Sequence, residues 1–417
     1  MKDNLLHTPE GVRDLQPIET IKMNVLQSEI LNVFHQYGFI NIQTPTFEYF
    51  EVFNHERGTL DLTEMYKFFD RDGHILVLRP DITPSLARFV STFYKQDDSP
   101  KRLCYNGNTF RNNESYQGKL KEFTQVGCEL FGVDSADADA EMIAIAINSL
   151  LATGVTEFKI DIGHAGYFKG LVEAVGLNED DQEELRYLID EKNFIAVDEL
   201  LDALEISEVQ QKTLLDLPKL FGSLSVLEQA KSVTTNSKAI SAINRLEEVY
   251  DILCDYQLDK YISFDLGMVS QLNYYTGIVY RGYTYGTGVS ILSGGRYDTL
   301  LAQFGKDMKA VGFAIILDDL FSAIERQNIV IPVFQIDTLL IYEKETRKQA
   351  IEVAEHMRRD GMIIELSLPR QTIEEHIKYG KDNHIGGIMH FTDHDSVTLI
   401  NLKDDTTTIT DIKSLFE

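Results

Sequence analysis

KEFTQVGCELFG, residues 121–132, is the stretch that decides the fold. Its apolar and β-branched residues predict a strand. Side chains on a strand alternate between faces, so Gln125, Gly127 and Glu129 share one face, with Gly127 leaving room above the sheet. Burying such polar groups costs free energy unless they meet partners, which points to a polar pocket on the sheet face. A rim of ordinary surface polars on an antiparallel sheet has the same spacing, and the spacing leaves both open. Just upstream, KRLCYNGNTFRNNE (101–114) predicts a partner strand running into a polar loop, with Arg111 at its end. HILVLRPDITPSLARFVSTFY (74–94) predicts a strand, a turn and a helix, and places Arg79, Asp81, Ile82 and Thr83 in the turn. Asp81 or Thr83 is expected to cap that helix, with Pro84 at its first position.

Further out, residues 18–37 have helical periodicity, with Ile21, Val25, Ile30, Val33 and Phe34 on one face and Gly38 as the stop. FINIQTPTFEYF (39–50) predicts a strand whose interior Pro45 limits. Residues 135–154 predict a helix with acidic residues in its first turn, as the helix dipole favours. From about 170 to 260, apolar stripes alternate with charges and predict a helical insertion. Strand texture resumes at 261–267, 278–285 and 311–317, while SGGRYD (293–298) taken alone predicts a tight turn. The expected architecture is therefore α+β: an antiparallel sheet core flanked by helices over residues 1–328, with the insertion inside it. After a linker at Ile331 and Pro332, strands alternate with helices, which predicts a small α/β domain over residues 329–417.

The chain has 417 residues, with 39 Lys and Arg against 66 Asp and Glu, a net charge of −27. Such a chain repels nucleic acid and anionic membranes at long range, so neither is expected as a partner. The C-terminal domain is acidic too, with 10 basic and 16 acidic residues. No window approaches the ~18 uninterrupted apolar residues of a membrane span. The N-terminal residues have no stretch apolar enough for a signal peptide. Cys104, Cys128 and Cys254 lack zinc-ligand spacing and are expected to be buried, reduced thiols, consistent with a cytoplasmic protein. Phosphate loops, H-E-x-x-H, G-x-S-x-G and clustered histidines do not occur, so no metal and no cofactor is expected.

Several motifs in order carry a resemblance: TPEGVRDLQP, GFINIQTPTFE, LRPDITP, TFRNNE with KEFTQVGCELFG, LNYYTG, SGGRYD and VGFAIILDDL. Together they span residues 8 to 325 and resemble the class II aminoacyl-tRNA synthetase core, specifically its histidyl branch. The resemblance implies that Pro45 lies at a dimer interface. Two departures stand out. Where the histidyl enzymes carry a Glu-Arg pair whose arginine grips ATP phosphate, this chain has Asp318 and Asp319. Where they carry Arg-Gly before the tyrosine motif, it has Ser270 and Gln271. An anion in place of a phosphate-gripping cation reverses the electrostatics that adenylation needs.

A synthetase core without those arginines resembles the regulatory subunits of ATP phosphoribosyltransferase. That resemblance implies a non-catalytic partner for a short-form catalytic subunit in the first step of histidine biosynthesis. It also implies feedback inhibition by L-histidine, and a homodimer within a hetero-oligomer, commonly an octamer. The amino-acid pocket is largely retained by position. Asp81, Thr83 and Gln125, with Ile82 between the first two, match groups that receive the ligand's α-ammonium. Glu129 and Tyr275 match those that bond the imidazole, Tyr274 is nearby, and Arg111 is the candidate for the carboxylate. Packing and surface ion pairs, such as Arg111 to Glu114 or Glu122, are the plainer reading of the same residues. A divergent histidyl-tRNA synthetase, or a synthetase-like protein in another amino-acid-dependent role, remains an alternative.

Overall fold

The computed structural model describes residues 6–53, 62–113, 119–191, 193–204, 206–269, 275–367 and 372–416. Two compact units divide the chain, Met1–Ile331 and Pro332–Glu417.

The first unit runs α1 (Pro17–Gln36), β1 (Ile40–Asn41), β2 (Phe47–Tyr49), β3 (Lys67–Phe69), β4 (Ile75–Leu78), α2 (Thr83–Phe93), β5 (Lys101–Phe110), β6 (Glu122–Phe131), α3 (Ala136–Ala152) and β7 (Phe158–His164). The helical insertion follows: α4 (Ala165–Val175), α5 (Glu179–Asp190), α6 (Phe194–Ala203), α7 (Glu208–Asp216), the short β8 (Phe221–Gly222), α8 (Ser225–Ser232) and α9 (Ser237–Asp255). β9 (Ile262–Asp265), β10 (Ile278–Thr284), β11 (Leu292–Arg296), β12 (Ala310–Ile316) and α10 (Leu317–Arg326) complete it. A nine-stranded sheet has the order β1-β5-β6-β12-β11-β10-β7-β9-β8, and β2-β4-β3 form a small separate sheet. β5, β6, β12, β11, β10 and β7 are antiparallel neighbours throughout.

α1, α3 and α9 cover one face of the large sheet, and α2 packs on the other, for reasons visible locally. Pro17 starts α1, Glu19 accepts the Gln16 N–H at 2.9 Å, and Gly38 ends the helix with φ +79°. α3 is capped by the Ser135 hydroxyl, which accepts the Ala138 N–H at 3.1 Å. Its Ala and Ile residues pack with α1, α9 and the Val126, Cys128 and Leu130 side of β6 into one apolar core. Asp139 of α3 is wholly buried, yet paired: Arg296 of β11 and Arg245 of α9 both donate to it, at 2.6–2.9 Å.

Several expectations change. The buried seam of α1 is Met23, Leu26, Ile30, Val33 and Phe34, whereas Ile21 and Val25 are only half-buried. Residues 39–50 are two strands, not one: β1 pairs with β5 in the large sheet and β2 with β4 in the small one. Pro45, exposed, sits in the break, where its missing N–H interrupts no ladder. SGGRYD is no turn; most of it lies in or just after β11. Neither Asp81 nor Thr83 caps α2, because the first is spent on the Ile82 N–H (2.8 Å) and the second on Glu129. Cys104 and Cys128 are buried, but Cys254 is exposed.

The second unit contains β13 (Thr338–Tyr342), α11 (Arg347–Arg359), β14 (Ile364–Leu366), α12 (Ile373–Asp382), β15 (Gly387–Phe391), β16 (Ser396–Asn401) and β17 (Thr407–Asp411), in the sheet order β14-β13-β15-β16-β17. The polar run that forms β17 has no apolar alternation, and the sequence reading missed it. No helix among the described residues is long and apolar enough to cross a membrane.

Candidate functional site

The face of the large sheet opposite α1, α3 and α9, against which α2 packs, carries the pocket. Strand alternation sends Tyr105 and Gly107 of β5, Gln125, Gly127 and Glu129 of β6, Gly312 and Ala314 of β12, and Ser293 and Gly295 of β11 to this face. Its floor is made of small residues for a steric reason. A Cβ at Gly312 would lie 1.4 Å from Glu129 Oε2, and one at Gly127 would lie 2.6 Å from the Tyr105 hydroxyl. The glycines let long polar side chains lie flat across neighbouring strands. Gly127 therefore leaves no open space: the room above it is filled by the Tyr105 ring.

A cavity is lined by Asp81, Thr83, Arg111, Gln125, Glu129 and Tyr275, so these six sequence-predicted residues converge. Ile82 is buried beneath them, packed with Leu86 and Tyr105. Tyr274 and Ser270 lie outside the described residues. Glu129, 1% exposed, accepts the Thr83 hydroxyl at Oε1 (2.8 Å) and the Tyr297 hydroxyl at Oε2 (2.6 Å). Burial pushes its carboxyl up to about 8, against the hydrogen bonds from Tyr297 and Thr83. Burial also raises Asp81, opposed by the charge of Arg111 and by hydrogen bonds from the Ile82 and Thr83 amides and from Gln125. Gln125 Oε1 is buried without a hydrogen-bond partner among the described residues, an acceptor facing the site.

Arg111 forms no ion pair with Glu122 or any other described residue. Its Nε donates to the Pro80 carbonyl at 3.3 Å, and its guanidinium lies 5.2 Å from the centre of the Phe123 ring. Glu122 instead accepts from Asn108 at 2.7 Å, and Glu114 lies outside the described residues. At the start of α10, Asp318 accepts the Thr124 N–H at 2.8 Å and Arg13 at 3.4 Å. Asp319 beside it is pushed up to about 6 by burial and by the Asp318 charge.

Tyr297 is the site residue that sequence reasoning missed. Ser293, Gly295 and Tyr297 share one face by period two, a signal hidden when SGGRYD is taken for a turn. Away from the pocket, Asp70, Asp72 and His74 place candidate metal-ligand atoms within 4.8 Å of one another. Asp70 there accepts the Asp72 and His74 amides at 2.9 and 2.8 Å and bonds the His74 ring, which is the chemistry of the β3–β4 hairpin turn.

Residues 11–320 match the family model described as histidyl-tRNA synthetase. The ATP phosphoribosyltransferase regulatory subunit of Acetivibrio thermocellus is 42% identical over 398 residues, covering 95% of each chain. That of Ruminiclostridium cellulolyticum is 42% identical over 410 residues, covering 98% of each. A crystal structure from Bacillus halodurans, described as an ATP phosphoribosyltransferase regulatory subunit/histidyl-tRNA synthetase, superposes with a TM-score of 0.82 at 32% identity, over 93% of this chain and 97% of that one. Histidyl-tRNA synthetase from Nostoc superposes at 0.83 with 22% identity over 98% of each chain, which shows the shared fold.

Proposed function

We propose, from the premise that this chain belongs to the family of ATP phosphoribosyltransferase regulatory subunits, built on the histidyl-tRNA synthetase fold, that it regulates a short-form catalytic subunit without making histidyl-adenylate itself. The observation that carries the reading is one contrast. The amino-acid pocket keeps its acceptors, while the start of α10 presents Asp318 and Asp319, where phosphate recognition wants a cation. In this reading L-histidine is the effector. Its ammonium meets Asp81, Thr83 and the orphan Gln125 oxygen, its imidazole meets Glu129 and Tyr275, and its carboxylate meets Arg111. Each pairing sets a ligand charge or donor against a group of complementary chemistry, buried in every case but the half-buried Arg111.

Inhibition then requires that histidine bind two assembly states unequally, by ~1–3 kcal/mol for a typical coupling. Self-association is supported by the small sheet, where Pro45 is exposed beside a face carrying exposed Phe47, Tyr49 and Phe68. We assign this face to a homodimer within a hetero-octamer. The acidity of the whole chain favours a protein partner over tRNA and fits a cytoplasmic biosynthetic complex.

The test is reconstitution with the catalytic subunit. Activity is expected to depend on this chain, and histidine to suppress it. If Asp81→Ala and Glu129→Ala both leave suppression intact, the pocket is not the sensor. Histidine-dependent ATP–pyrophosphate exchange by the purified chain would instead establish the synthetase alternative.

A further inference from the structure

We propose that Arg245 of the helical insertion is a positioning residue for the pocket: through the buried Asp139–Arg296 pair it holds the segment 275–277 that presents Tyr275 to the ligand. The inference rests on the histidine reading above, in which Tyr275 meets the imidazole.

Tyr275 lines the cavity from outside any strand. β10 begins only at Ile278, so the backbone just before it must find its hydrogen bonds elsewhere. β11 and α4 supply them. The Thr276 N–H donates to the carbonyl of Arg296, the last residue of β11, at 2.8 Å, and the Asp298 N–H donates to the Thr276 hydroxyl at 2.9 Å. The stem of the Arg296 side chain lies so near that a Cβ at Gly277 would be 2.9 Å from its Cδ. From the insertion, the Ala165 N–H at the start of α4 donates to the Gly277 carbonyl at 2.8 Å. Lys169 Nζ, one turn along α4, donates to the Tyr275 carbonyl at 3.4 Å. A shift of Arg296 therefore reaches Tyr275 through both the backbone and the side-chain stem.

Charge in turn fixes Arg296. Its buried guanidinium donates to Asp139 Oδ1 at 2.6 and 2.9 Å, to the Val133 carbonyl at 2.9 Å and to Asp298 at 3.3 Å. The other oxygen of Asp139, Oδ2, accepts Arg245 Nε of α9 at 2.8 Å. The second contact of Arg245, to the exposed Asp134, is longer at 3.2 Å. A buried carboxylate that loses a partner turns or admits water to replace it. Without Arg245, Asp139 loses the tether on Oδ2, and the Asp139–Arg296 pair is free to shift. Tyr297, next to Arg296 in sequence, is anchored separately, because its N–H donates to the Ala310 carbonyl of β12 at 2.8 Å. The displacement thus falls on Tyr275 and spares the Tyr297 bond to Glu129.

The test is calorimetric titration of histidine into the full-length chain and its variants, paired with urea unfolding. Arg245→Ala is expected to weaken binding about three- to tenfold. In a Tyr275→Phe background, which lacks the hydroxyl, the same change is expected to weaken binding by no more than about twofold, the mark of action through Tyr275. Equal losses in both backgrounds, or unchanged affinity in Arg245→Ala, overturn the proposal while the histidine reading stands. If Tyr275→Phe binds too weakly to titrate, Arg245→Lys decides. It returns a cation to Asp139, so partial recovery supports the proposal and none refutes it. If Arg245→Ala does not fold, Arg245→Gln takes its place under the same criteria. Leu201→Ala, a buried change elsewhere in the insertion, should lower stability and leave affinity alone. If it weakens binding as much as Arg245→Ala, the insertion acts only through its stability and the proposal fails. Failure of the wild type to bind histidine overturns both readings together.

Discussion

The two faces of β6 are equally buried and chemically opposite. Val126, Cys128 and Leu130 face α1 and α3 in a wholly apolar core. Gln125 and Glu129, 3% and 1% exposed, face a polar cavity. On the first face burial removes apolar surface from water and stabilises the fold. On the second it raises the energy of charged forms and leaves the Gln125 oxygen without a partner among the described residues. One strand therefore carries a side whose burial stabilises the fold and a side whose burial costs free energy.

The largest effect expected from this contrast is on the core face. Phe34 is fully buried and meets Phe313 edge-on at 5.6 Å. Phe34→Ala is expected to cost about 3–5 kcal/mol in urea unfolding. A loss under about 1 kcal/mol would break the contrast, because the face under α1 and α3 would then not be the stabilising one.

Next comes the pH dependence of the pocket face. In the folded chain Glu129 keeps its proton up to about pH 8, against an ordinary value of 4.5. Its contribution is thus fully present below pH 4.5 and is lost as pH rises through about 8. Relative to Glu129→Gln, the wild type should lose on the order of 5 kcal/mol across that window. Parallel stability curves for the two proteins would show that this carboxyl carries no burial cost.

A smaller change concerns binding alone. Asp81→Ala is expected to weaken histidine binding by about 1.5–3 kcal/mol, the scale of a hydrogen bond to a charged group. Unfolding should change less, since the lost carboxylate was itself costly to bury. An Asp81→Ala protein that unfolds easily yet binds normally would reverse the roles of the two faces.

The smallest effect belongs to exposed residues on neither face. Tyr49→Ser, on the small sheet, should shift chain stability by no more than about 0.5 kcal/mol. Sedimentation should nevertheless show weaker self-association. Unchanged sedimentation would remove this face from the proposed dimer.

Much of this was legible from local pattern. The strands β5 and β6, the helices α1 and α3 and the insertion follow from periods of 2 and 3.6, which short stretches display by themselves. The same alternation puts Gln125 and Glu129 on one face, while leaving a pocket and a polar rim equally open. Other features were not legible, for specific reasons. The break at Pro45 depends on two different sheets competing for residues 39–50. The paired glycines of SGGRYD resemble a turn until their neighbours are known, since the side chains that need the space come from other strands. Asp139 reads as a helix-dipole residue and turns out to be the buried partner of two arginines.

By itself the sequence determined most of the elements, the family and most of the residue types that line the cavity, because propensity, alternation and motif order are properties of neighbouring residues. Only the tertiary structure decided that Glu129 is held by Tyr297, 168 residues away, and by Thr83, 46 residues before it. Only it decided that the charge of Arg111 acts on Asp81. Charge balance in a low-dielectric pocket is set by what surrounds a group in space, and no local stretch of chain contains that surrounding.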